Sequence, residues 1–311
     1  MRKFRPDLSS LFGLLLLAAS IWAIAQELHE YNYHDILTYL AAIPKSQLSL
    51  SVWFTVLSYL VLTLYDYLGF YYLGHPLSYN KVAFTNFVSS SFSNTIGFAI
   101  VTGSAIRYRF YSLWGVSGIE IAQVIAFENF TFWLGLFAVS GGIFVLDPLP
   151  IPSQLHLPFA DVRPLGVIFV LMVFAYLVGS IISKQPLRIR GHEFRFPGFG
   201  LAVAQILISS LDWIFTAAVL YVLIPHVAHL SFLDFLGIYL LAMTAGVVSN
   251  VPGGLGVFES VILLLLKPQV PPTVVLGSLL AYRGVYYLLP LIVATLLLGF
   301  YEINARSRRH G

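Results

Sequence analysis

The chain has no cysteine at all, which excludes disulfides and thiolate-ligated metals. Charge is almost as scarce: of 311 residues only 10% are Asp, Glu, Lys or Arg, while 58% are hydrophobic. A soluble domain of this size needs far more charge on its surface. The net charge of +3 is small, and most of the basic residues fall in loops, which gives no footprint for nucleic acid. There is no Gly-rich Lys-Ser/Thr loop, hence no nucleotide site on this chain. The eight histidines are scattered (His29, His34, His75, His156, His192, His226, His229, His310), and none is spaced with acids as a metal site requires. No cofactor is therefore expected, no catalytic residue stands out, and the chain does not read as an enzyme.

What remains is apolar sequence, with a mean hydropathy of +0.84. Runs lie near 10–26, 48–73, 82–105, 117–146, 165–183, 199–224, 233–266 and 273–303. Several reach the ~20 residues that cross a bilayer as helix. They do not alternate as the strands of a membrane barrel would. The expected fold is all-α, a polytopic helical membrane protein in a single domain over 1–311. Arg2, Lys3 and Arg5 before an apolar run ending Ala23-Ile24-Ala25 also fit a cleavable signal peptide. The rest of the chain favours an uncleaved first span.

Orientation follows from the basic loops. The N-terminus, the loop 184–198 (with Lys184, Arg188, Arg190 and Arg195) and the tail with Arg306, Arg308 and Arg309 should be cytoplasmic. The segment 27–47, a short surface helix by its pattern, and the Pro-rich loop 147–164 are then outside. Counting crossings leaves about six full spans. The third and seventh runs must enter and leave on the same side, as re-entrant helical hairpins from opposite faces. Tyr and Trp near run ends read as interfacial anchors.

Those two runs carry the least helical sequence in the chain. FSNTIGFAIVTGSAIRY spans 92–108, and VSNVPGGLGVFESVILLLL spans 248–266. Ser93-Asn94-x-x-Gly97 matches Ser249-Asn250-x-x-Gly253, 249 − 93 = 156 residues on. Asp66 within YDY matches Asp212 within LDW, and FTFWLGL (130–136) resembles VYYLLPL (285–291). Three matches in one order, with reversed direction, predict an inverted repeat of 48–146 and 199–303 with broken helices meeting at a central site.

A charge at the bilayer centre costs at least ~2.5–3.5 kcal/mol on insertion scales. Asp66, Glu128, Asp212, Glu259 and Arg283 all lie inside apolar runs. Arg283 is roughly 15 Å of helix into the last run, near the midplane. A Glu259–Arg283 pair is expected. Half-helices starting near Gly97 and Gly253–Gly254 would expose amides fit for phosphate or carboxylate. Ser93, Asn94, Ser249 and Asn250 are placed to cap them or to touch a headgroup. Asp66, Glu128 and Asp212 are assigned to a structural charge network. The competing reading is that Gly and Ser only let helices pack closely.

LTLYDYLGFYYL (62–73), SNTIGFAIVTGSAIRYRFYSLWG (93–115), EIAQVIAFENFTFWLG (120–135), LDWIFTAAVLYVLIP (211–225) and VSNVPGGLGVFE (248–259) together resemble the N-terminal membrane region of the multiple-peptide-resistance-factor family, the bacterial phosphatidylglycerol lysyltransferase/flippase proteins. The resemblance implies a lipid translocase of the bacterial cytoplasmic membrane that moves a phospholipid, such as aminoacyl-phosphatidylglycerol, between leaflets. In that reading Arg107, Arg109 and Arg283 draw in the anionic group. Ser93, Asn94, Gly97, Ser249, Asn250, Gly253, Gly254 and Glu259 complete the headgroup site. Transport would run downhill or on an ion gradient. The sequence stops at Gly311 without the family's transferase domain, so synthase activity is not expected. A separate lipid synthase and a second copy of the chain are the partners to consider. The alternatives are a non-transporting membrane partner of a lipid synthase and an intramembrane polyprenyl-phosphate transferase.

Overall fold

A computed structural model describes residues 43–96, 99–150, 161–182, 187–189, 192–194, 196–224, 230–248, 256–266 and 269–310. The first run, residues 27–42, Gly97, and Ser249, Asn250, Gly253 and Gly254 lie outside the described residues.

Helix α1 (Lys45–Leu73) ends where Gly74 takes a left-handed φ of 67°. The amide of His75 then reaches back to the Phe70 carbonyl, closing the helix end. Two shorter helices follow, α2 (Tyr79–Ile96) and α3 (Ala99–Leu113). They lie antiparallel against each other. Phe84 meets Phe110 edge-on at 5.2 Å, and nearer the break a Cβ on Gly103 would fall 2.4 Å from Ser93 Oγ. α4 (Gly118–Leu146) starts at a reciprocal cap, in which the Ser117 hydroxyl accepts from the Glu120 amide and the Glu120 carboxylate accepts from the Ser117 amide. α5 (Arg163–Ile182) crosses back beside it.

The loop 184–198 contains one surprise: β1 (Leu187–Ile189) pairs antiparallel with β2 (His192–Phe194), setting Arg188 opposite Glu193. From the sequence alone 184–198 is expected to be a loop. Its alternation of apolar and polar residues about Arg190-Gly191 is a hairpin pattern too short to stand out.

α6 (Phe199–Leu223) is followed by a second helix pair, α7 (Phe232–Val248) and α8 (Val257–Leu266), in contact through Tyr239 and Phe258. The last helix is continuous but changes pitch: α9 (Pro272–Tyr282), a π-helical turn (Arg283–Leu288), then α10 (Leu289–His310). Pro290 accounts for the turn. It has no N–H for the carbonyl of Tyr286 and its ring crowds that turn, so the ladder widens and the Leu289 amide bonds to the Gly284 carbonyl instead.

Among the described residues, five segments are long and apolar enough to cross a membrane: Lys45–Leu73, Gly118–Leu146, Arg163–Ile182, Phe199–Leu223 and Pro272–Asn304. The sixth expected span, 10–26, is outside the described residues. The protein is thus an all-α, multi-pass membrane protein in its described part. The order long helix, helix pair, long helix occurs twice, with α5 between. The two leading helices, α1 and α6, pack antiparallel: Phe54 meets Phe215, while Tyr72 and Phe199 line one groove at the other end.

Close approach depends on small residues. A Cβ on Gly135 of α4 would lie 2.5–2.6 Å from Ser209 of α6, its backbone carbon included. About two turns further, Gly142 has nothing within 4 Å. Tyr59, Tyr65, Tyr239, Tyr282 and Tyr286, which lie inside the apolar runs and not at their ends, are buried in the core. Their hydroxyls find partners there, which is what makes burial tolerable.

Gly135→Ala should lower the thermal midpoint of the purified protein by several degrees, because α4 and α6 must separate. Gly142→Ala, on the same helix, should leave it unchanged or raise it slightly, since alanine is the better helix former. Equal effects of the two would contradict this packing.

Candidate functional site

Arg107 is the cation at the centre of the first half. It leaves α3 and lodges between α1 and α4, with Nε donating to Asp66 Oδ2 at 2.9 Å and Nη2 to Glu128 Oε1 at 2.7 Å. Tyr111, one turn on, donates to the same Asp66 oxygen at 2.5 Å. Asp66 Oδ1 is buried without a hydrogen-bond partner among the described residues. One guanidinium therefore holds two carboxylates.

The second half carries the pair expected from the sequence. Arg283 opens the π turn and donates through Nη2 (2.6 Å) and Nε (3.2 Å) to Glu259 Oε1. Its guanidinium also lies 4.9 Å from the ring centre of Tyr287. Glu259 has a second task, since its other oxygen accepts from the Gly256 amide at 2.8 Å. Gly256 has a left-handed φ of 82°, and this bond caps the first turn of α8. In both halves the ion pair ties the second arm of a helix pair to the long helix that follows. The polarity is reversed: arginine is on the arm in the first half and glutamate in the second.

Asp212 is held differently. Ser58 donates to Oδ1 at 2.7 Å and Tyr65 to Oδ2 at 3.1 Å, both from α1. Its partners are hydroxyls, whereas Asp66 and Glu259 bond to arginines.

Between these groups lies a cavity of about 260 Å³. Ser93 and Asn94 of α2 line one side, with Arg107 and Glu128 beside them. Asp212 and Trp213 come from α6. Tyr239 and Met243 enter from α7, and Tyr286 and Tyr287 from the π turn. Both helix pairs thus reach one space. The carbonyls loosened by the π turn serve as ties: Tyr59 donates to the Tyr286 carbonyl at 3.3 Å and Thr95 to that of Tyr287 at 3.4 Å.

Of the site residues named from sequence, Ser93, Asn94, Arg107, Glu128 and Asp212 line the cavity. Asp66 stands behind Arg107, and Glu259 and Arg283 stand behind Tyr287. Arg109 is elsewhere, paired with Glu302 of α10. Gly97, Ser249, Asn250, Gly253 and Gly254 fall outside the described residues. Ser58, Tyr65, Thr216 and Tyr286 were not named from sequence. A signal existed: Ser58 and Tyr65 are seven apart, and Asp212 and Thr216 four apart, so each pair shares a helix face. Among the described residues no cluster of His, Asp or Glu could hold a metal ion.

Residues 10–294 match the family described as "Lysylphosphatidylglycerol synthase TM region". The chain is 45% identical to the uncharacterized protein slr0712 of Synechocystis sp., over 99% of this chain and 96% of that protein. It is 31% identical to inner membrane protein YbhN of Escherichia coli K12, over 83% and 81% of the two. Phosphatidylglycerol lysyltransferase of Staphylococcus aureus (strain MSSA476) is 27% identical over 96% of this chain, which spans only 34% of that longer protein. The chain belongs to the lysylphosphatidylglycerol synthase TM-region family.

Removing one partner of a buried ion pair leaves the other uncompensated. Glu259→Gln and Arg283→Met should each destabilise the detergent-solubilised protein, by about 3–5 kcal/mol if burial is complete. The double variant should recover part of that loss. Strictly additive losses in a denaturation cycle would show that the two residues do not interact.

Proposed function

We propose that this family member is a lipid translocase that moves a phospholipid between leaflets of the bacterial cytoplasmic membrane, with its headgroup in the cavity shared by the two helix pairs. One observation carries the reading: the cavity joins a buried arginine, two carboxylates and several hydroxyls inside a bundle whose long helices are apolar. Apolar packing has no use for such a space. A headgroup with a phosphate and an amine does, as in an aminoacyl-phosphatidylglycerol. The phosphate would sit toward Arg107 and the amine toward Asp212 and Glu128, while the acyl chains stay in lipid.

The helix pairs would be re-entrant, entering from opposite faces, and 48–146 and 199–303 would be inverted repeats in one domain. The antiparallel packing of α1 on α6 and the twice-repeated element order support this. Amides at Gly97 and Gly253–Gly254 would complete the phosphate site, and both termini would be cytoplasmic. The printed name of the E. coli relative, an inner membrane protein, supports the location. The chain itself would not be an enzyme. The lysyltransferase relative contains the matched region within a longer chain, which favours a second reading: a membrane partner for a separate lipid synthase that moves nothing itself.

Reconstitution in liposomes with a labelled phospholipid separates the two. Translocation predicts leaflet exchange well above that of empty vesicles. Asn94→Leu, which places an apolar group in the cavity, should slow it on the order of tenfold, or ~1.4 kcal/mol of barrier. Exchange equal to empty vesicles, together with a co-purifying synthase, would favour the partner reading.

A further inference from the structure

The hydroxyls around Asp212 form a closed set whose hydrogens can be assigned one by one. Thr216 Oγ1 donates to the Asp212 backbone carbonyl at 2.8 Å, so toward other groups it can only accept. Tyr65 gives its hydrogen to Oδ2 and Ser58 gives its own to Oδ1. Tyr286 OH lies 3.0 Å from Thr216 Oγ1 and 3.1 Å from Ser58 Oγ, and its hydrogen goes to one of these two oxygens. Every hydroxyl hydrogen is then used, and the arrangement is complete with Asp212 ionised.

That state is expensive in its surroundings. The neighbours on α1 and α7 are the phenols of Tyr59, Tyr65 and Tyr239, and those on the π turn are Tyr286 and Tyr287. The charged residues lining the same cavity are Arg107 and Glu128, which are bonded to each other. Asp66 shares that arginine, and Glu259 has Arg283. Asp212 alone of these carboxylates is buried against neutral donors, a setting in which gaining a proton relieves an unpaired charge. The geometry favours a proton over a metal ion. The oxygens are 2.7–3.1 Å apart in direct hydrogen bonds, whereas a hard cation needs several oxygens turned toward it with their hydrogens pointing away.

We propose that Asp212 is a proton-binding site whose occupancy is coupled to lipid movement, an extension that rests on the translocase reading above. A proton added at Oδ1 makes Asp212 the donor to Ser58 Oγ. Ser58 then turns its hydrogen to Thr216 or Tyr286, so the Asp212–Ser58 hydrogen bond reverses and the hydroxyls beyond it rearrange. No covalent bond other than the new O–H is made. Because these residues sit on α1, α6 and the π turn, the reversal acts where the two halves meet. Tyr286 and Tyr287 also line the cavity, so the headgroup space senses the change.

Two measurements test this. Infrared difference spectra of the reconstituted protein should show a carboxylic C=O band appearing on acidification, absent from Asp212→Asn. Ser58→Ala, which keeps the carboxylate but cuts the chain, should shift the midpoint of that band. A spectrum in which wild type and Asp212→Asn coincide overturns the site, and an unmoved midpoint in Ser58→Ala overturns the relay. In proteoliposomes an imposed pH gradient should change the rate of lipid redistribution at least threefold, while an equal sodium gradient should not. Lipid exchange that ignores the pH gradient, or follows sodium, overturns the coupling and leaves translocation standing. The infrared band without any lipid exchange supports the proton site and removes the translocase reading.

Discussion

The buried arginines of this bundle are each met by carboxylates where they stand, and two of these connections, Arg107 with Asp66 and Glu128 and Arg283 with Glu259, fix where the helix pairs sit. Arg107 holds α3 to α1 and α4, and Glu259 holds α8 to the last helix. Ion pairs of this kind add little net stability, because desolvation offsets the attraction. What they supply is position. α2 and α3 are not among the segments apolar enough to cross a membrane, and α7 and α8 are short. α2 also buries Asn86, Ser89, Ser90 and Ser93. α2 is too polar to gain much from lipid, and α7 and α8, though apolar, are too short to span it, so both pairs depend on anchors to the long helices. The reversed polarity of the two anchors shows that the requirement is a bridge at that place, whichever side supplies the cation.

The cavity follows from the same constraint. With the helix pairs anchored to the long helices, a space remains beside α1 and α6 that is lined by polar groups from both pairs, among them Asn94 and Tyr239. Pro290 contributes at a distance. The π turn before it carries Arg283, which bonds to Glu259, and Tyr286 and Tyr287, which line the cavity. The carbonyls it loosens are taken up by Tyr59 and Thr95, so the irregular turn costs few unsatisfied groups.

Much of the fold was readable in the sequence because hydrophobic length is a strong signal in a membrane protein. The described long helices fall within a few residues of the expected runs, and both interrupted runs became helix pairs. The Glu259–Arg283 contact was accessible too, since a lone acid and a lone base in apolar runs have few other partners. Arg107 and Arg109 illustrate the limit. Two residues apart on a helix they point to different sides, so one joins Asp66 and Glu128 while the other pairs with Glu302. Sequence proximity suggested a joint role that helical geometry denies. The role of the mid-run tyrosines was not legible for another reason. An aromatic with a hydroxyl suits both an interface and a hydrogen-bonded core, and only the positions of Ser58, Asp212 and Thr216 across three elements decide between them.

If the space between the helix pairs holds a lipid headgroup, an electron cryo-microscopy map of the protein in nanodiscs of native-like phospholipid should show it there. Headgroup density is expected between Arg107 and Asp212, in contact with Asn94 and Tyr287, with acyl chains leading out to the bilayer. Lipid density confined to the outer surface, with the cavity closed or filled only by side chains, would contradict it.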